Sequence, residues 1–191
     1  MKNWRALVSK YLADVRSVLK NCGIKALDGR SALEVYEEYY EKQIENNKFS
    51  LVEFGEEFGL KFNYANFKGK LISGYLKDQQ IVINETETSL RQRFTIAHEL
   101  GHYFYNHEPK IMDPKGIELL GNKEEENSND VLLAIARDGE INKQELEANE
   151  FAGALLMPEA LVQLGKNYIH NYILFGVSEL TWNIRIDKLS R

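Results

Sequence analysis

The sequence predicts an α+β fold: a small antiparallel sheet with helices packed on one face, preceded by a helical extension. Three observations predict it. Apolar residues recur at helical spacing through residues 3–20 and again after residue 31. Three short β-rich segments between residues 60 and 84 are separated by turn residues. An apolar helical stretch with two histidines four residues apart follows them directly. Residues 1–48 read as the extension and residues 49–191 as the main domain.

In chain order, Trp4, Leu7, Val8, Tyr11, Leu12, Val15, Val18 and Leu19 line one face of a first helix, and Gly23 offers a stop. Ser31-x-x-Glu34 is a capping box that opens a second helix, running to about Asn46, with Tyr36, Tyr39 and Tyr40 as core. Ser50-x-x-Glu53 opens a short third helix through Leu51, Val52, Phe54 and Phe58, ended by Gly59. Leu60, Phe62 and Tyr64 then alternate as a strand, Lys68-Gly69 marks a turn, and residues 70–76 and 80–84 flank Lys77-Asp78-Gln79 as a hairpin. The histidine helix comes next. After Asn106, Pro109, Pro114, Gly116 and Gly121 punctuate a loop. Residues 110–130 read as a mobile surface insertion, with the acidic run 124–126 as a solvated face, and residues 131–136 carry no assignable pattern. Asn142 is positioned to cap a helix bearing Leu146, Phe151, Leu155 and Leu156. Pro158 suits the first turn of a short helix. Ser178 caps the last one, with Leu180, Trp182, Ile184, Ile186 and Leu189 as apolar contacts.

Composition narrows the function. A net charge of −5 disfavours direct nucleic-acid binding, which needs a basic surface. The single cysteine, Cys22, cannot form an internal disulfide, which suits a reducing compartment. Lys2, Arg5, Lys10, Asp14 and Arg16 interrupt any apolar leader, and no apolar run is long enough to cross a bilayer. A cytoplasmic protein without a membrane partner is expected.

The chemistry centres on Arg93-Phe94-Thr95-Ile96-Ala97-His98-Glu99-Leu100-Gly101-His102-Tyr103-Phe104. Residues four apart share a helix face, so His98 and His102 can offer two imidazole nitrogens to one ion. Glu99 projects to one side, where it can hold a water. Two neutral nitrogens, a nearby carboxylate and an open position describe a hydrolytic zinc site. Such a site takes a third protein ligand. Candidates are His107, Glu118, the run 124–126, Glu140, Glu145, Glu147, Glu150 and His170. His107 reaches back only if the helix breaks. Ala148, Ala152, Gly153 and Ala154 let the helix around residue 145 approach the histidine helix closely. On that helix Glu145, Asn149 and Ala152 share a face, while Glu147 and Glu150 point elsewhere. This favours Glu145 as ligand with Asn149 behind it; taken alone, Glu145 also reads as an ordinary exposed helix residue.

The motif Arg93 to His102, followed by Glu145-Leu146-Glu147-Ala148-Asn149-Glu150-Phe151-Ala152-Gly153-Ala154-Leu155-Leu156-Met157-Pro158, closely resembles the ImmA/IrrE-type metallopeptidases. Ile81-Val82-Ile83-Asn84 before the motif is similar too, as is Phe175-Gly176-Val177-Ser178 with Arg185. The resemblance covers roughly residues 49–189. It implies a zincin-like fold, zinc on His98, His102 and a glutamate of the second motif, and Glu99 as catalytic base. Position by position that glutamate is Glu145, with Glu147 the alternative. Family members typically cleave helix-turn-helix repressors, often encoded alongside. Two departures stand out: residues 107–144 form a long acidic intermotif segment, and residues 1–48 match nothing in the family.

The implied reaction is endopeptidase hydrolysis. Tyr75, Tyr103, Tyr105 and His107 are the candidate donors to the developing oxyanion. Histidine and carboxylate ligands also accept manganese or iron. A competing reading is a regulatory module that binds a repressor or toxin without cutting it, although an intact Glu99 and a single cysteine argue against a purely structural zinc. A zinc hydrolase acting on something other than a peptide also fits the motif.

Overall fold

A computed structural model describes residues 13–46, 49–68, 72–107, 141–164 and 175–190. The start of the expected first helix, the 110–130 insertion, residues 131–136, and the ligand candidates Glu118, 124–126, Glu140 and His170 lie outside the described residues. Helix α1 spans Ala13–Asn21, α2 Ala32–Asn46 and α3 Leu51–Glu56. Strands β1 (Lys61–Ala65), β2 (Gly74–Lys77) and β3 (Gln80–Asn84) follow. Then come α4 (Ser89–Phe104), α5 (Ile141–Leu156), α6 (Glu159–Leu164) and α7 (Glu179–Ser190). The architecture is mixed α+β. No helix among the described residues is long and apolar enough to cross a membrane.

Local chemistry sets the ends. Ser31 and Glu34 form a reciprocal capping box: the Ser31 backbone N–H donates to the Glu34 carboxylate at 2.7 Å, and the Glu34 N–H donates to Ser31 Oγ at 3.3 Å. Ser50 Oγ accepts from the Glu53 N–H, Thr88 Oγ1 from the Arg91 N–H, and Ser178 Oγ from the Thr181 N–H, each within 3.3 Å. Gly59 leaves α3 with φ +79°. Within the described residues α5 already includes Ile141, so Asn142 lies in the helix rather than at its cap.

The sheet is mixed, not antiparallel as expected. Its order is β1-β3-β2: β1 pairs parallel with β3 from Lys61↔Gln80 to Ala65↔Asn84, and β2 pairs antiparallel with β3's other edge. Asp78 and Gln79, at φ +48° and +60°, make a two-residue type I′ hairpin turn that fixes the β2–β3 register. Strand β3 takes the centre because Ile81, Val82 and Ile83 are all buried, so both of its edges need partners. Alternation within β1 reports its buried face and carries no information on its direction.

One hydrophobic core runs through these elements. Phe54 of α3 is fully buried, with ring centroids 6.4 Å from Tyr36 of α2 and 5.7 Å from Phe104 of α4. Tyr36, Tyr39 and Tyr40 are all buried, and burial pushes the Tyr36 hydroxyl's pKa well up. The motif helix is therefore anchored at its C-terminal end by an aromatic cluster reaching back to residue 36.

Candidate metal centre

Helices α4 and α5 lie close because small residues meet at their crossing. A Cβ on Gly101 would sit 2.9 Å from the Ala148 Cα and 3.1 Å from its carbonyl oxygen. Backbone atoms cannot swing aside as a side-chain tip can. Gly101→Ala should therefore force the helices apart, cost about 1–3 kcal/mol as an overpacked core does, and weaken metal binding. A thermal melt paired with a zinc titration checks both effects.

The close approach brings donors from both helices together. His98 Nε2 lies 3.0 Å from His102 Nε2 and 3.1 Å from Glu145 Oε2, and His102 Nε2 lies 3.4 Å from Glu145 Oε1. Behind them, His98 Nδ1 meets Asn149 Oδ1 at 2.9 Å, and His102 Nδ1 meets His107 Nδ1 at 2.9 Å. With the Nδ1 protons donated to Asn149 and His107, both Nε2 atoms present lone pairs toward the same point as the carboxylate. Three acceptors converging on one point repel unless a cation sits between them. Ligands held about 2 Å from a tetrahedral zinc stand about 3.3 Å apart, close to the spacings here. The residues present fit a divalent ion.

Electrostatics agree. Burial pushes the Glu145 carboxyl up, but its interaction with the facing His102 and His98 rings outweighs burial and holds its pKa well below the usual range. Burial pulls His98 down, yet Glu145 and Glu99 leave it raised. Surroundings that favour a proton on His98 also favour a metal. Burial raises the Glu99 carboxyl, partly offset by His98, His102 and the Leu76 backbone N–H, which donates to it. Leu76 reaches Glu99 because Gly74 lets β2 lie against α4: a Cβ there would come within 2.5 Å of Thr95 Cγ2.

Where, then, are the other sequence candidates? Glu147 lies away from the donor cluster, with Oε2 3.2 Å from His107 Nε2. Glu150 is exposed. Tyr105 stacks on His107, with centroids 5.2 Å apart. Tyr103 is half-buried and edge-on to Phe104. Tyr75 is exposed on β2, its ring 6.0 Å from Phe67. Two features lie beyond the sequence expectations. The Leu76 N–H has no signature, being backbone. The return of His107 is signalled by Asn106, whose φ of +53° reverses the chain after α4; asparagine tolerates that left-handed position.

A family model for the IrrE N-terminal-like domain of the M78 peptidases matches residues 55–187. The chain belongs to this family. The matched span includes both helices that carry the His98, His102 and Glu145 donors and makes the chain one of a peptidase family. It also takes in Phe175 and Gly176, where the Arg93 guanidinium of α4 donates to the Phe175 carbonyl at 3.3 Å and, at 3.4 Å, to that of Phe49. Inside the family span, Arg185 donates to the Met157 carbonyl at 3.4 Å, fixing the end of the Glu145 helix. No curated protein matches the chain. A transcriptional regulator from Mycobacterium tuberculosis is similar in structure at 17% identity and a TM-score of 0.43, over 90% of this chain and 49% of that one. The chain thus spans about half the length of that relative, and a likeness this distant adds nothing to the reading of the site.

Proposed function

We propose that this family member is a zincin-like zinc endopeptidase whose substrate is a helix-turn-helix repressor encoded nearby. The observation that carries the reading is the convergence of His98, His102 and Glu145 in a chain of a peptidase family, with Glu99 buried beside them. Bound there, a divalent ion would supply Lewis acidity for the carbonyl and acidify a water.

The chain's own residues do the rest. His98 and His102 present Nε2, and Glu145 completes the donor set. Glu99 takes the proton from the attacking water and delivers it to the leaving amine. Its burial keeps the carboxylate basic, and the Leu76 N–H aims it. Zinc suits the two imidazoles and one carboxylate, and manganese or iron would be accepted too. The lone cysteine fits a cytoplasmic setting.

The test is incubation of the purified protein with that repressor, with zinc and with chelator, followed by mass spectrometry of the products. Discrete cleavage that chelator abolishes is the expected result. Chelator-insensitive association without cleavage would instead favour the binding-module reading.

A further inference from the structure

The two metal-facing histidines are backed differently. His98 leans on the amide of Asn149, and among the described residues the connection stops there. His102 begins a longer chain. Its Nδ1 lies 2.9 Å from His107 Nδ1, His107 Nε2 lies 3.2 Å from Glu147 Oε2, and Glu147 Oε1 lies 3.6 Å from Lys143 Nζ. The His107 side chain is only 7% exposed, so the chain runs through the protein interior for one full imidazole before reaching half-exposed Glu147. Only one proton arrangement satisfies every link when His102 Nε2 carries a lone pair. His102 Nδ1–H donates to His107 Nδ1, and His107 Nε2–H donates to the carboxylate. Tyr105, stacked parallel to the His107 ring at 7°, holds that ring in plane.

We propose that His107, backed by Glu147, is a positioning residue that fixes the tautomer and ring orientation of His102 so that Nε2 faces the metal. This rests on the metal-site reading above. Outer partners of metal-bound histidines act in this way in general, and losing one typically costs about 10- to 100-fold in metal affinity. It also gives Glu147 a role distinct from ligation: it acts on the metal only through two imidazoles.

The experiment measures zinc affinity by chelator competition, and the Co2+ absorption spectrum, on the full chain and four variants, with circular dichroism as the fold control. His107→Phe keeps the stacked ring and removes both nitrogens; zinc should bind about 10- to 100-fold more weakly. His107→Asn places an amide oxygen where Nδ1 was, so His102 becomes backed as His98 is by Asn149. It should recover most of the loss and restore a wild-type Co2+ spectrum. Glu147→Leu should weaken binding less than His107→Phe does. The double variant His107→Phe/Glu147→Leu should be no weaker than His107→Phe alone, because both act through one chain. A merely structural role would give no rescue by asparagine and no such coupling. If the wild-type chain binds no zinc, the metal-site reading falls and takes this proposal with it. If wild type binds and His107→Phe matches it, the proposal alone is overturned. A double variant far weaker than either single one would also overturn it, by showing that Glu147 reaches the metal directly. Should His107→Phe fail to fold, the Asn variant and Glu147→Leu decide: near-wild-type affinity with asparagine and a measurable loss with leucine support the chain, and the reverse pattern refutes it.

Discussion

Glu99→Gln is expected to lower peptide hydrolysis by roughly three orders of magnitude or more while zinc still binds, given what proton transfer and water activation contribute. Glutamine keeps the size and one acceptor oxygen of the side chain, so the Leu76 N–H retains a partner and the buried pocket is not emptied. What it loses is the capacity to take a proton. None of the three converging donors belongs to Glu99, so the metal centre should survive. Steady-state cleavage of the repressor, alongside zinc content of the same preparation, checks the claim. Near-wild-type turnover would remove Glu99 from the mechanism, and loss of zinc together with activity would make it a structural residue.

The second large effect is expected at Glu145. Replacing it with alanine removes the only carboxylate among the three donors and leaves two imidazole lone pairs facing each other 3.0 Å apart. Zinc affinity should fall by more than the roughly 100-fold that marks the upper end of outer-partner losses. Glu147→Ala is the matched control on the same helix. Its carboxylate meets His107 rather than the donor cluster, so its effect should be much smaller. Isothermal titration of both variants separates them, and a larger loss at Glu147 would reverse the ligand assignment.

Much of this arrangement is legible in the amino-acid sequence, and the reason is local chemistry. Ser31 with Glu34, Ser50, Ser178 and Gly59 act within one turn of where they stand, so their types alone place helix ends. The two histidines share a face because four residues make about one turn. Glu145 and Asn149 share a face for the same reason, and the small residues around Ala148 signal a close helix crossing. The features that are not legible depend on the fold as a whole. Strand direction is not written in alternation, so the expectation of an antiparallel sheet fails at β1, which pairs parallel with β3. The contact of Tyr36 with Phe54 depends on where α2 docks, which its own periodicity does not state. The Leu76 N–H is backbone, and its role at Glu99 depends on Gly74 drawing β2 against the motif helix. His107 falls between these cases: its spacing from His102 argues against reach, and only the left-handed Asn106 makes the return.

The most direct test is a crystal structure of the zinc-loaded chain with anomalous data at the zinc edge. One zinc peak per chain is expected, bonded to His98 Nε2, His102 Nε2 and a Glu145 oxygen, with Glu99 beside it and unbonded. A peak elsewhere, or no zinc at these three residues at saturating metal, would contradict it.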